Sequence, residues 1–304
     1  MIGRCGFWGD IIYSIGVTGF IYPIVGHWSW GPDGWLALKN FHDFAGSTVV
    51  HSIGGAISLA GAIALGPRLG RVFKRDGGTP PPPHDIVIGA VGGLILWFGW
   101  YGFNPGSTLS ALDSVGIGRV SFNTTMAACS AGLAALFISY ARTKKWDLGL
   151  TVNGFLAGLV AITCPCYWVD PIGAFFIGIV AAFVVVYGLD LLEFLRIDDP
   201  IGAVPVHLFA GIWGTLSLGL FASGYGAAHP NRRQHQFRGD RPLLRWRCHS
   251  TRPASTRLVL NQHRDLSGLA ADDDRAEKDR CPARLERRRN RRAGHPRAWR
   301  FRLS

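Results

Sequence analysis

Asp43-Phe-Ala-Gly-Ser-Thr-Val-Val-His51-Ser-Ile-Gly-Gly-Ala-Ile-Ser-Leu-Ala-Gly-Ala-Ile-Ala-Leu65 is the stretch that decides the reading of this chain. A helix of roughly 20 apolar residues crosses ~30 Å of hydrocarbon, and this run is long enough to do so with His51 inside it. A second run repeats the arrangement: Ile201-Gly-Ala-Val-Pro-Val-His207-Leu-Phe-Ala-Gly-Ile-Trp-Gly-Thr-Leu-Ser-Leu-Gly-Leu-Phe221. Ionisable side chains at membrane depth are costly, so each histidine points first to a substrate or proton path. The pair implies a polytopic channel or transporter.

Outward from these two runs, residues 1–225 form a succession of apolar stretches. The expected spans are 9–26, 43–65, 86–104, 118–140, 149–166, 171–195 and 201–223. All are rich in Gly, Ala and Ser, which allow close helix contact where lipid gives no hydrophobic drive for association. Single helices of this kind occur in large soluble proteins. Seven in succession without an amphipathic polar face exclude that class, and the fold class is an all-α integral membrane protein with seven recognisable transmembrane helices.

The net charge of +12 suggests a nucleic-acid binder until it is divided along the chain. Residues 1–225 hold 11 Lys/Arg against 12 Asp/Glu, a net of −1, whereas residues 226–304 hold 21 against 8, a net of +13. A DNA-binding reading therefore fails for the apolar part. Within that part, Arg4, Arg68, Arg71, Lys74, Arg75, Arg142, Lys144, Lys145 and Arg196 all fall on one side of an alternating topology, with only Lys39 and Arg119 on the other. The Lys/Arg bias of short loops assigns those nine to the cytoplasm. The loop Gly77-Gly-Thr-Pro-Pro-Pro-Pro83 lies on the same side and resists regular hydrogen bonding. Six cysteines give no disulfide framework, since Cys129, Cys164 and Cys166 lie in or beside apolar spans. Cys164-Pro-Cys166 lacks the companions of a zinc site, and packing or helix-end roles are expected.

Several side chains can carry chemistry. A neutral imidazole offers one donor and one acceptor, and a narrow apolar passage favours that neutral form. Two facing imidazoles can share a hydrogen bond while presenting nitrogens to a small polar permeant. Asp43 opens the helix that bears His51, about 12 Å away at 1.5 Å per residue. It can cap that helix, stabilise a cation at the pore mouth, or do both. Trp30, in Tyr22-Pro-Ile-Val-Gly-His-Trp-Ser-Trp30, reads either as an interfacial anchor or as a cation-binding ring. Trp97-Phe-Gly-Trp100-Tyr-Gly-Phe103-Asn-Pro-Gly-Ser107 reaches the same external side, where Phe103 can gate and Ser107 can accept a hydrogen bond. Asp198-Asp199-Pro200 and Asp170-Pro171 suit helix starts rather than metal sites. Asn104, Asn123 and Asn153 are expected to make helix-packing hydrogen bonds.

The chain resembles the ammonium transporter family (Amt/Mep, related to Rh proteins), in its bacterial and cyanobacterial style. The resemblance rests on Asp43-Phe-Ala-Gly-Ser-Thr-Val-Val-His51, Leu96-Trp-Phe-Gly-Trp-Tyr-Gly-Phe-Asn-Pro-Gly-Ser107, Asn153-Gly-Phe-Leu-Ala-Gly-Leu-Val-Ala-Ile-Thr163 and Asp198 through Gly214. It implies a multi-pass protein of the plasma or cell inner membrane, a homotrimer in lipid, with one pore per subunit and neither enzyme activity nor a cofactor or metal. It implies that Trp30, Ser107 and Asp43 recruit ammonium, that Phe103 gates, and that ammonia passes the pore histidines His51 and His207 after a proton is lost. A PII-type regulatory protein is an implied partner of intact relatives, and nucleic acid is not. The alternative is a transport-inactive membrane ammonium sensor or assembly partner.

Two departures accompany the resemblance. The seven spans correspond to helices 4–10 of the family's eleven-helix fold, an inverted repeat of five plus five, so about three N-terminal helices and a partner phenylalanine of the gate are expected to be missing. Beyond residue 225, runs such as Arg232-Arg-Gln-His-Gln-Phe-Arg238 and Arg287-Arg-Arg-Asn-Arg-Arg292 replace the eleventh helix. Residues 226–304 read as a basic, disordered or frameshifted tail after a partial membrane domain at 1–225.

Overall fold

The computed structural model describes residues 1–223. The expected tail at 226–304 lies outside the described residues. The described chain is helical, in the order α1 (Phe7–Gly16), α2 (Tyr22–Trp30), α3 (Trp35–Leu38), α4 (Ile53–Leu65), α5 (Ile86–Phe103), α6 (Ser114–Thr143), α7 (Leu148–Ile162), α8 (Pro171–Phe194) and α9 (Ala210–Phe221). Wide π-type turns at Val17–Ile21, Ser47–Ser52 and Val204–Phe209 join α1 to α2 and lead into α4 and α9. Among the described residues the one extended pairing is an isolated bridge between Val169 and Ala222.

Among the described residues, six helical rods are long and apolar enough to cross a membrane: Phe7–Leu38, Ser47–Leu65, Ile86–Thr108, Ser114–Thr143, Pro171–Phe194 and Val204–Phe221. The seventh expected span is the shorter α7. Its helix ends at Ile162 and the chain continues through Cys164–Val169 in buried turns, because Asn123 Nδ2 takes the Cys166 and Val169 carbonyls, both at 2.9 Å. The first rod is longer than the expected 9–26 because helical geometry resumes after Trp30 in the single turn of α3.

Four of the helices begin at an aspartate. Asp85, Asp113, Asp147 and Asp170 each accept backbone N–H groups from the first turn of α5, α6, α7 and α8. The first-turn amides of a helix lack intrahelical partners, and such a cap is worth ~1 kcal/mol. Pro171 sits in the first turn of α8, where its missing N–H costs nothing.

The core lies among α6, α7 and α8, and its contacts are backbone-close. A methyl group at Gly158 would stand 2.4 Å from the Ala127 carbonyl oxygen, and one at Gly178 would stand 2.3 Å from the same atom. Glycine is therefore required at both positions on steric grounds. Outward faces carry large apolar side chains, such as Phe20, Leu94, Phe98 and Phe137, as lipid demands.

Ion pairs join separate loops on the face to which the charge bias assigns the cytoplasm. Asp198 is the hub: its carboxylate meets Arg68 Nε at 2.8 Å, Arg4 at 3.1 Å and Arg71 at 3.4 Å. Arg71 also pairs with Glu193. Arg196 forks onto Asp76, and Arg142 reaches Asp190 at 2.6 Å. Asp198 and Asp199 thus differ from the expectation of two equivalent helix-start acids. Asp199 caps, accepting from Ala203 and Val204 at 3.0 and 2.7 Å, while Asp198 turns to the arginines.

Burial alone would raise the Asp198 carboxyl, yet the Arg68 side chain and backbone amide, aided by the charge of Arg4, bring it down to about 2. That is below the ordinary value of about 3.9, so its contribution is complete above about pH 4 and is lost as pH falls toward 2. Acid titration of unfolding in detergent micelles is expected to show a loss of roughly 2–3 kcal/mol across that window. Asp198→Asn should be less stable at pH 7 and lose less over the same window; an unchanged acid profile in the variant would refute the hub.

Candidate functional site

The site is built first by the entry to α4. Asp43 is buried, and its two oxygens close on four backbone amides: Gly46 and Ser47 at 2.9 and 3.0 Å, Thr48 and Val49 at 2.8 and 3.0 Å. Gly46, at φ +122°, supplies the turn that lets these amides converge, a conformation that a side chain would strain. The same segment is hooked to the end of α7. Ser47 Oγ donates to the Val160 carbonyl at 2.7 Å and accepts from Cys164 N at 2.6 Å. Phe44 N and Ala45 N donate to the Cys164 and Thr163 carbonyls at 3.2 and 3.1 Å.

The capping role read for Asp43 is therefore realised in full. His51 follows in the wide turn Ser47–Ser52, where its own N–H reaches back five residues to Gly46 O at 3.0 Å. His207 lies in the matching wide turn Val204–Phe209, and its capping acid is Asp199. Each histidine stands eight residues after the aspartate that caps its helix. Such single π-type turns shift side-chain direction relative to a regular helix and are frequent at functional sites.

The two wide turns bring the imidazoles together. His51 Nδ1 and His207 Nδ1 are 3.2 Å apart, and the rings are 5.2 Å apart between centroids with planes 19° from parallel. Since the nitrogen separation is much shorter than the centroid separation, the rings meet edge to edge. One Nδ1 must carry a proton and the other must accept it. The donor ring then offers Nε2 as an acceptor, and the acceptor ring carries its proton on Nε2. His51 Nε2 is buried with no hydrogen-bond partner.

Around the pair, Phe103 lies 5.5 Å from the His51 ring and Trp100 lies nearly parallel to it at 5.2 Å. Trp100 Nε1 donates to Thr163 Oγ1 at 3.1 Å. Trp30 Nε1 donates to the Asp43 carbonyl at 2.7 Å, which ties that ring to the entry loop of α4. Ser107 Oγ donates to the Phe103 carbonyl at 2.8 Å. The donors of Trp30 and Ser107 are thus each committed to a backbone oxygen, and what Ser107 has left to offer is its lone pairs.

Trp100 and Thr163 carry no role in the sequence reading. Trp100 was legible, since it precedes Phe103 by three residues and so shares its helix face. Thr163 was not, because its partner is 63 residues away. Asn104 and Asn123 do make packing hydrogen bonds, to Thr124 at 3.1 Å and to the two carbonyls named above. Cys164 and Cys166 are buried and unlinked, with Cys164 Sγ 3.4 Å from the His42 carbonyl.

Membrane-length helices packed around two facing imidazoles place the chain among multi-pass membrane proteins. Comparison with known proteins narrows this: residues 1–245 match the model of the Ammonium Transporter Family, and the chain belongs to that family. Ammonium transporter Amt2 of Archaeoglobus fulgidus is 46% identical over 227 residues, covering 71% of this chain and 48% of that protein. Ammonium transporter 1 member 1 of Solanum lycopersicum is 39% identical over 240 residues, covering 73% and 49%. Among solved structures, a "Sensor Amt Protein" superposes with a TM-score of 0.69 at 42% identity, covering 77% of this chain and 59% of that one. Saccharomyces cerevisiae Mep2 gives 0.69 at 31% identity, covering 74% and 49%. The chain spans about half the length of the curated relatives it matches.

Replacing the Asp43 carboxylate strands four amides instead of the one or two of an ordinary cap. Asp43→Ala is expected to cost about 3 kcal/mol in chemical unfolding, against ~1 for a common cap, with Asp43→Asn between the two. A cost under ~1 kcal/mol would mean that the amides find other partners.

Proposed function

We propose that this chain provides part of an ammonium-conducting pore, in which ammonium sheds a proton on the external side and ammonia passes His51 and His207. The observation that carries the reading is the buried imidazole pair at 3.2 Å with His51 Nε2 left open. Ammonium brings four N–H donors, and an apolar passage lined by one free acceptor would leave most of them unpaired. Each buried polar group without a partner costs several kcal/mol, more when charged. Loss of the proton removes that penalty and discriminates against potassium, which has none to lose.

In this reading Trp30 and the lone pairs of Ser107 receive the cation, Phe103 separates the external mouth from the histidines, and Asp43 contributes a fixed negative field while capping its helix. Asp43 holds four amides already, so it acts on the cation through space and is not the proton acceptor. The outward apolar faces suit lipid and assembly of three copies.

A second reading has one specific support: similarity at 42% identity to a protein called Sensor Amt Protein. Under it the chain binds ammonium and reports it without flux.

Methylammonium uptake by cells lacking other ammonium transporters separates the two. Uptake is expected with the intact pair and should fall at least ~10-fold in His51→Ala and in His207→Ala, the size of a lost 1.4 kcal/mol interaction or more. Uptake that survives either change sinks the conduction reading. Absent flux with saturable quenching of tryptophan fluorescence by ammonium favours the sensor.

A further inference from the structure

We infer that Thr163 is a positioning residue for the histidine pair, acting through Trp100, an assignment that rests on the conduction reading above. Thr163 is fully buried at the end of α7, and its hydroxyl bonds to Trp100 and Leu159 rather than to either imidazole. Its hydroxyl has a single proton, which goes to the Leu159 carbonyl at 2.7 Å. Toward Trp100 it can therefore only accept, and an indole N–H can only donate, so the polarity of the 3.1 Å bond is fixed.

Trp100 is 8% exposed, and a buried indole N–H needs a partner. Thr163 supplies it and so fixes the rotation of the ring about its side-chain axis. His51 lies between two constraints: the nearly parallel Trp100 ring on its face, 17° from its plane, and the His207 ring at its edge. Turning the indole to another acceptor would change the surface against which His51 rests. The imidazole plane that lets the two Nδ1 atoms meet depends on that surface.

The backbone of Thr163 serves the same end. Its carbonyl accepts Ala45 N at 3.1 Å, two residues after the Asp43 cap. One residue thus refers both the start of the His51 helix and the ring against His51 to the end of α7. Its hydroxyl and carbonyl act on different neighbours, so substitution of the side chain isolates the first role.

The test is nitrogen NMR of the full chain, labelled with ¹⁵N-histidine and reconstituted in lipid bilayers. The coupling between the two Nδ1 atoms across their shared hydrogen bond is assigned by its disappearance in His51→Ala. It is expected to persist in Thr163→Ser, which keeps the hydroxyl, and to be lost in Thr163→Val, which keeps the shape. Trp100→Phe keeps an aromatic face and removes the N–H; it should also lose the coupling, and it decides the matter if Thr163→Val does not fold. Coupling that persists in both Thr163→Val and Trp100→Phe, or that vanishes in Thr163→Ser as well, overturns the inference alone. Its absence from the unmodified chain overturns the paired-histidine reading and this inference with it.

Discussion

Every helix that enters hydrocarbon must leave its first amides with a partner, because no water waits there to supply one. At every described span but the first, this chain meets that demand with an aspartate. Six of the twelve acids in residues 1–225 close on first-turn N–H groups: Asp43, Asp85, Asp113, Asp147, Asp170 and Asp199. Asp76, Asp190, Glu193 and Asp198 pair with arginines between loops. The acidity of the membrane part therefore belongs to its architecture. Where the cap is strongest, at Asp43, it fixes the origin of the helix from which His51 is measured.

The two histidine helices repeat one device. An aspartate cap, eight residues and a wide turn place an imidazole on each, and the two meet Nδ1 to Nδ1. The caps sit at opposite ends of the bundle by the charge bias, with Asp43 on the side of Lys39 and Asp199 on the side of Arg196. Helices entering from opposite sides bring residues at equal depth together when their start points are equally far from the middle. That is what an inverted repeat achieves in transporters. The wide turns matter as well, since a regular helix would leave each ring rotated from its present direction.

Much of this was legible before the structure. Span number followed from length and hydropathy, because these are local properties of short segments. The pairing of His51 with His207 was legible as a possibility, since two costly residues at similar depth explain each other. The early end of α7 was not, because what stops it is Asn123 on another helix taking carbonyls after Thr163. Asp198 was misjudged for a similar reason. As one of two adjacent acids before proline it resembles a cap, and its three arginine partners lie at 4, 68 and 71, far along the chain. Sequence reveals what a residue offers, and only packing reveals which of its possible partners arrives.

The same distinction bears on the selectivity that the proposed conduction reading requires. Nitrogens buried in pairs satisfy each other, so an imidazole pair is stable at depth only while one Nδ1–H faces one bare Nδ1. A second proton on the pair would set two donors against each other at a 3.2 Å separation. The resting pair is thus neutral, with one open acceptor and one open donor on its outer nitrogens. A neutral amine, which is both acceptor and donor, complements that pattern. A metal cation can take the bare nitrogen but leaves the outward N–H without an acceptor, and an anion can take the N–H but meets the bare nitrogen. Discrimination on this view resides in proton placement along the row of rings, and therefore in whatever keeps those rings coplanar.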